Sequence, residues 1–215
     1  MKKSIITLAF AMLVAFTASA QIGIGIKAGL NFANQTGDDV EDNSMLTALH
    51  GGVYATFNFG DRLAFQPELL LNATGTTYDF GNDGKVDFKT TYVSVPLMLL
   101  FKLNETFNIQ AGPQLSFLTK AELTDGDTSI DFSDEVEPTE WGANIGLGLN
   151  FGKLNVTGRY CIGLSNIAKE SGVEVKNSVI QLSLGYTLFG GNKSEHLSKM
   201  PWLKPWHFYF YKMDE

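Results

Sequence analysis

The chain has 215 residues, 16 basic and 23 acidic, with a formal net charge of −7 and 44% hydrophobic side chains. That acidity argues against nucleic acid as a partner, because such binding needs basic patches. A single cysteine, Cys161, excludes an internal disulfide and any CxxC metal or redox pair. The first element in chain order is a leader. Lys2 and Lys3 precede the apolar run Ile5 to Phe16, and Ala18-Ser19-Ala20 follows, which is the pattern of a secretory signal peptide over residues 1–20. No cysteine follows the cleavage point, which argues against a lipoprotein anchor. The leader takes two of the 16 basic residues and none of the 23 acids, so the exported chain carries a net −9. No later segment holds about 18 consecutive apolar residues, the length a transmembrane helix needs.

From Gln21 onward apolar residues return at every second position, the period of a strand. Ile22, Ile24, Ile26, Ala28, Leu30 and Phe32 share one face of the first strand, and Gly23, Gly25, Lys27, Gly29 and Asn31 share the other. These glycines run G-x-G-x-x-x-G with no helix pattern after them, so they do not form a phosphate-binding loop. The second strand sets Val53, Ala55, Phe57 and Phe59 against Tyr54, Thr56 and Asn58. The third sets Leu63, Phe65, Leu69 and Leu71 against Gln66, Glu68 and Asn72. In the fourth, Val93 to Leu103 oppose Tyr92, Ser94 and Lys102, although Met98 and Leu100 blur the alternation. The fifth opposes Phe107, Ile109, Ala111, Leu115 and Phe117 to Asn108, Gln110, Gly112, Gln114 and Ser116. The sixth runs from Trp141 to Phe151 with Gly142, Asn144, Gly146 and Gly148 on its small face. The seventh opposes Leu154, Val156, Tyr160 and Ile162 to Thr157, Arg159 and Gly163, and the eighth opposes Ile180 to Leu188 to Gln181, Ser183 and Gly185.

Short turns after Phe59, Leu103 and Phe151 alternate with long polar stretches at roughly 33–50, 74–90, 119–140 and 166–178. Short periplasmic turns and long outer loops define an all-β, eight-stranded, antiparallel up-and-down transmembrane β-barrel. It is predicted over residues 21–190. GNDGK at 81–85 reads as a hairpin tip, so the third and fourth strands are expected to rise beyond the bilayer as a ribbon. Pro67, Pro96 and Pro113 fall inside predicted strands, where bulges or bends are the expected accommodation.

A soluble barrel shows the same alternation with its apolar face inward, so the polar face must decide between the two. Here that face is Gly, Asn, Ser and Gln, which suits a crowded lumen better than a water-exposed surface. Phe32, Phe59, Phe65, Phe101, Phe107, Phe117, Trp141 and Phe151 lie near the strand ends of the apolar face, as in a lipid-facing aromatic girdle. Lys27, Glu68, Lys102 and Arg159 then project inward with Gln66, Gln110, Gln114 and Tyr92. Eight strands leave a lumen that side chains just fill, so these groups are expected to pair and plug it, with Glu68 facing Arg159 or Lys102. A narrow solute or ion channel is the alternative. A lipid-modifying enzyme is a lesser one, since His50 stands alone at the top of the second strand, with Asp42 and Ser44 nearby in the loop, and reads as solvated surface. Cys161 has an inward phase and reads as a small buried filler.

The loops are acidic, with four acids in GDDVED at 37–42 and eight in the run 121–140, but the spacing of a calcium loop is not met. No metal or cofactor is expected. The expected partners are outer-membrane lipid and a protein at the acidic loops. Residues 191–215 depart from the alternation and read as a disordered extension.

Several segments resemble the PorT-like family of outer-membrane β-barrels. They are GIKAGLNFAN at 25–34, FQPELLLNATG at 65–75, YVSVPLMLLFKL at 92–103, NIQAGPQLSFL at 108–118, GRYCIGLSNI at 158–167 and VIQLSLGYTLF at 179–189. The resemblance implies an eight-stranded porin-like barrel of the cell envelope, inserted by the assembly machinery, and implies little about activity.

Overall fold

The structure is a computed structural model that describes residues 21–37, 43–79, 85–125, 128–170, 172 and 174–190. The predicted leader, the 191–215 extension and the hairpin tip at 81–84 lie outside these residues. Eight long strands form the wall: β1 (Gln21–Thr36), β2 (Asn43–Phe59), β3 (Leu63–Asp79), β4 (Lys85–Lys102), β5 (Phe107–Asp125), β7 (Thr139–Phe151), β8 (Leu154–Gly163) and β9 (Lys176–Phe189). Each pairs antiparallel with its chain neighbour, and β1 also pairs with β9, which closes the barrel and leaves no wall strand with a free edge. The short β6 (Thr128–Asp131) pairs only with the upper end of β5, and a single turn of 3₁₀ helix at Ser133–Glu135 follows it.

The turns form where the sequence placed them. Gly60 and Gly152 take positive φ, 69° and 65°, a conformation that glycine adopts freely. Asn104 closes the second turn by accepting hydrogen bonds from the amides of Thr106 and Phe107 at 2.9 and 2.8 Å. At the other end the strands run further than hydrophobic alternation indicated. Residues 43–50, 74–79, 85–90 and 119–125 are strand, so much of the expected loop is an extension of the wall. The ribbon of β3 and β4 is present, paired from Leu63↔Phe101 up to Asp79↔Lys85. Above the apolar band the inward positions are buried threonines, Thr74, Thr76 and Thr90, and the outward ones are polar, so the greasy half of the alternation disappears while the pairing persists. Phe88, Ala121, Val136 and Ile167 form a small apolar core in this upper region, with Tyr78, Leu118, Leu123 and Val175 packed on it.

Of the bulges or bends expected at the prolines, the bulges are absent. The register shifts fall at Ile24/Gly25, between Met45 and His50, and at Thr91/Tyr92, none of them at a proline. Instead, pairing lapses beside each proline and resumes in the same register. It lapses between Tyr54↔Glu68 and Phe57↔Phe65 at Pro67, between Pro67↔Leu97 and Leu70↔Ser94 at Pro96, and between Pro96↔Gln114 and Leu99↔Ala111 at Pro113. A missing N–H removes ladder bonds, and the unbroken pairs on either side hold the register.

The apolar face points outward. Ile26, Val53, Leu69, Leu99, Ile109, Leu147 and Leu184 are all exposed on the outer wall. Along β5 from Phe107 to Phe117, and along β7 from Trp141 to Phe151, ten residue steps separate the exposed aromatics. At about 3.3 Å rise and roughly 40° tilt that is about 25 Å, the height of a membrane barrel's apolar band. Phe101 is exposed with them, whereas Phe32, Phe59 and Phe65 are half-buried, and Phe65 stacks on Phe57 at 6.4 Å.

Candidate functional site

The inward face of each strand carries the polar residues, and closure brings those of distant strands together. Glu68 on β3 sits at the centre. Its carboxylate accepts hydrogen bonds from Lys27 Nζ on β1 at 2.7 Å and from Arg159 Nη1 and Nη2 on β8 at 2.8 and 2.6 Å. Gln66 Nε2 donates to the same carboxylate at 2.7 Å. Arg159 also donates through Nε and Nη2 to Gln110 Oε1 on β5, at 3.0 and 2.7 Å. The three charged side chains are at most 1% exposed, and Lys27 lies 5.8 Å from the centre of the Tyr54 ring. Two cations thus share one carboxylate across the barrel. Such burial is tolerable only because each charge is paired and hydrogen-bonded.

Further hydrogen bonds lie above and below this centre. Asn31 Nδ2 donates to Asn72 Oδ1 at 2.7 Å, and Gln181 Nε2 donates to Asn31 Oδ1 at 3.1 Å. Toward the turns, Tyr54, Thr187 and Asn155 connect through the tyrosine hydroxyl, and Ala64, Met98 and Leu100 form an apolar cluster. Met98 and Leu100 therefore blurred the alternation of β4 because they fill the lower lumen. Glycines make room for the longer groups. A Cβ at Gly146 would lie 2.7 Å from Arg159 Cγ, and one at Gly29 would lie 2.7 Å from His50 Cε1.

Lys102 does not join Glu68. It donates to Asn58 Oδ1 at 2.6 Å near the turns, because its place on β4 is at the opposite end of the lumen from the long loops. Gln114 bonds to Ser116 and Asn144 rather than to the charged centre. Tyr92 is fully buried, and its hydroxyl finds no hydrogen-bond partner among the described residues.

His50 also corrects an expectation. It is not a solvated loop residue but a buried member of β2, with Nε2 2.9 Å from Ser183 Oγ on β9. The Gly51-Gly52 pair hid the continuing alternation, in which His50 shares the phase of Tyr54. Glu140 was counted among the loop acids, yet it is buried at the start of β7, in phase with Gly142 and Asn144. Cys161 is a buried free thiol packed with Ala33 and Val179. No group of His, Cys, Asp and Glu suited to a metal occurs among the described residues.

Comparison with known proteins bears on the barrel as a whole. A family model described as the outer membrane protein β-barrel domain matches residues 16–169. Neisserial surface protein A superposes with a TM-score of 0.52 at 14% identity, covering 76% of this chain and 96% of that one. Ail, the attachment invasion locus protein of Yersinia pestis, gives 0.48 at 16% identity over 78% of this chain and 99% of its own. OprG of Pseudomonas aeruginosa gives 0.43 at 14%, over 78% and 94%. At these identities the likeness concerns fold alone. No curated protein matches the chain in sequence.

Proposed function

Because the chain belongs to the outer membrane protein β-barrel domain family, we propose that it is an outer-membrane barrel whose lumen is filled by side chains and whose role is structural or surface interaction. The observation that carries this reading is the buried Lys27–Glu68–Arg159–Gln110 network, which ties β1, β3, β8 and β5 together through the middle of the lumen. A conducting path would have to break charge-assisted bonds between side chains that are at most 1% exposed. The upper strand extensions and their apolar core support the surface half of the proposal, since they present Asp125, Asp131, Asp134 and Glu135 on ordered backbone. A protein partner at this acidic end, lipid around the apolar band and insertion by the barrel-assembly machinery belong to the same reading. So does the finer PorT-like assignment, which rests on the quoted segments at 25–34, 65–75, 92–103, 108–118, 158–167 and 179–189.

A non-enzymatic role is supported by the state of the one histidine–serine contact among the described residues. His50 and Ser183 are each 4% exposed, and His50 Nδ1 meets no acid that would orient the ring. The test is single-channel recording of the purified protein in planar bilayers. Silence is expected, and reproducible open steps would replace the filled-lumen reading with the channel.

A further inference from the structure

The upper lumen holds a second buried carboxylate with different surroundings. Glu140 is 7% exposed, and Asn177 Nδ2 donates to its Oε1 at 3.1 Å. No cation pairs with it among the described residues, since Lys27 and Arg159 are both committed to Glu68. Beside it lies a cavity of about 20 Å³ lined by Glu140, Asn144, Asn177, Asn72, Gln114 and Gly163. Two of these amides, Asn144 and Asn177, are each 4% exposed, and the Oδ1 of each lacks a donor. Asn144 turns its Nδ2 to Gln114 Oε1 at 3.0 Å, and Asn177 turns its own to Glu140, so the oxygens are the ends left over. Gly163 keeps the space open, because a Cβ there would lie 2.7 Å from Glu140 Oε1.

The side-chain ends left without any partner at this cavity, Asn144 Oδ1 and Asn177 Oδ1, are both oxygen acceptors, and the group beside them is a carboxylate. A lone buried carboxylate is costly without a counter-charge. Hard oxygen donors suit hard cations. One carboxylate among neutral amide oxygens balances a single positive charge, whereas calcium takes about 6–8 oxygens and usually several carboxylates. The volume suffices for one water-sized occupant. From this convergence we propose that Glu140, Asn144 and Asn177 form a binding site for a monovalent inorganic cation of sodium's size in the upper lumen. The site links β7 to β9 just inside the acidic loops, so the ion would brace the outer end of the barrel. It does not depend on whether the lumen conducts.

The test is the thermal midpoint of the folded full-length barrel in detergent at constant ionic strength, with sodium chloride progressively replacing choline chloride. Choline does not fit a 20 Å³ cavity. Sodium is expected to raise the midpoint with a logarithmic dependence, the folded-to-unfolded ratio growing about 100-fold when sodium exceeds its dissociation constant 100-fold. Glu140→Gln, which keeps the shape and removes the charge, is expected to abolish the dependence. The wild-type titration stands by itself: equal midpoints in sodium and choline overturn the site and leave the cavity to water. A sodium response that survives undiminished in Glu140→Gln also overturns it, by assigning the ion to the acidic surface.

Discussion

Glu68→Ala is the substitution that most directly probes the state of the lumen. The carboxylate it removes accepts from Lys27, Arg159 and Gln66, at 2.6 to 2.8 Å. Afterwards two cations whose side chains are at most 1% exposed face each other with no anion between them. Breaking a buried pair in this way costs about 3–5 kcal/mol, most of it the penalty of the charges left behind. In a water-filled pore the same groups would be solvated, and the loss would fall to the 0–1 kcal/mol typical of exposed pairs. Urea unfolding in lipid vesicles, followed by fluorescence and by the mobility shift of unheated samples, measures the difference. The companion variant Lys27→Met/Glu68→Leu/Arg159→Met removes all three charges and is expected to be neutral or up to about 4 kcal/mol more stable. A loss below about 1 kcal/mol for Glu68→Ala would refute a dry, plugged lumen, whatever the bilayer recordings show.

Two further substitutions test the wall. Leu147 is 64% exposed in the middle of β7 and Ile130 is 60% exposed on β6. Leu147→Arg is expected to lose about 2–4 kcal/mol in lipid vesicles while Ile130→Arg loses little, since only the first meets the bilayer midplane; equal losses would misplace the apolar band. Gly29→Ala puts a Cβ against His50 Cε1 and the neighbouring strand. It is expected to lose about 1–3 kcal/mol by overpacking in the same unfolding assay, and an unchanged midpoint would mean that the wall there yields freely.

The alternation from Ile22 to Leu188 was enough to establish the wall strands, their number and where the short turns fall, and the small polar residues of the other face decided that the apolar face points outward. Each of these is a local property: a side chain's face follows from parity, and Gly60, Asn104 and Gly152 shape their turns within a few residues. Local properties do not reach across the lumen. Glu68 and Arg159 stand 91 positions apart on strands that are not neighbours, and only closure, with its stagger of registers, brings them to one height. The same stagger sends Lys102 to Asn58 instead. The upper strand segments escaped notice because threonines such as Thr74, Thr76 and Thr90 fill the inward positions and polar residues the outward ones, which erases the hydrophobic period that marks a strand. Glu140 and His50 escaped with them, at the margins where the period fades but parity still holds. Sequence alone decided the inward or outward face of the residues within the clear alternation, and the closed tertiary structure decided which inward residues meet.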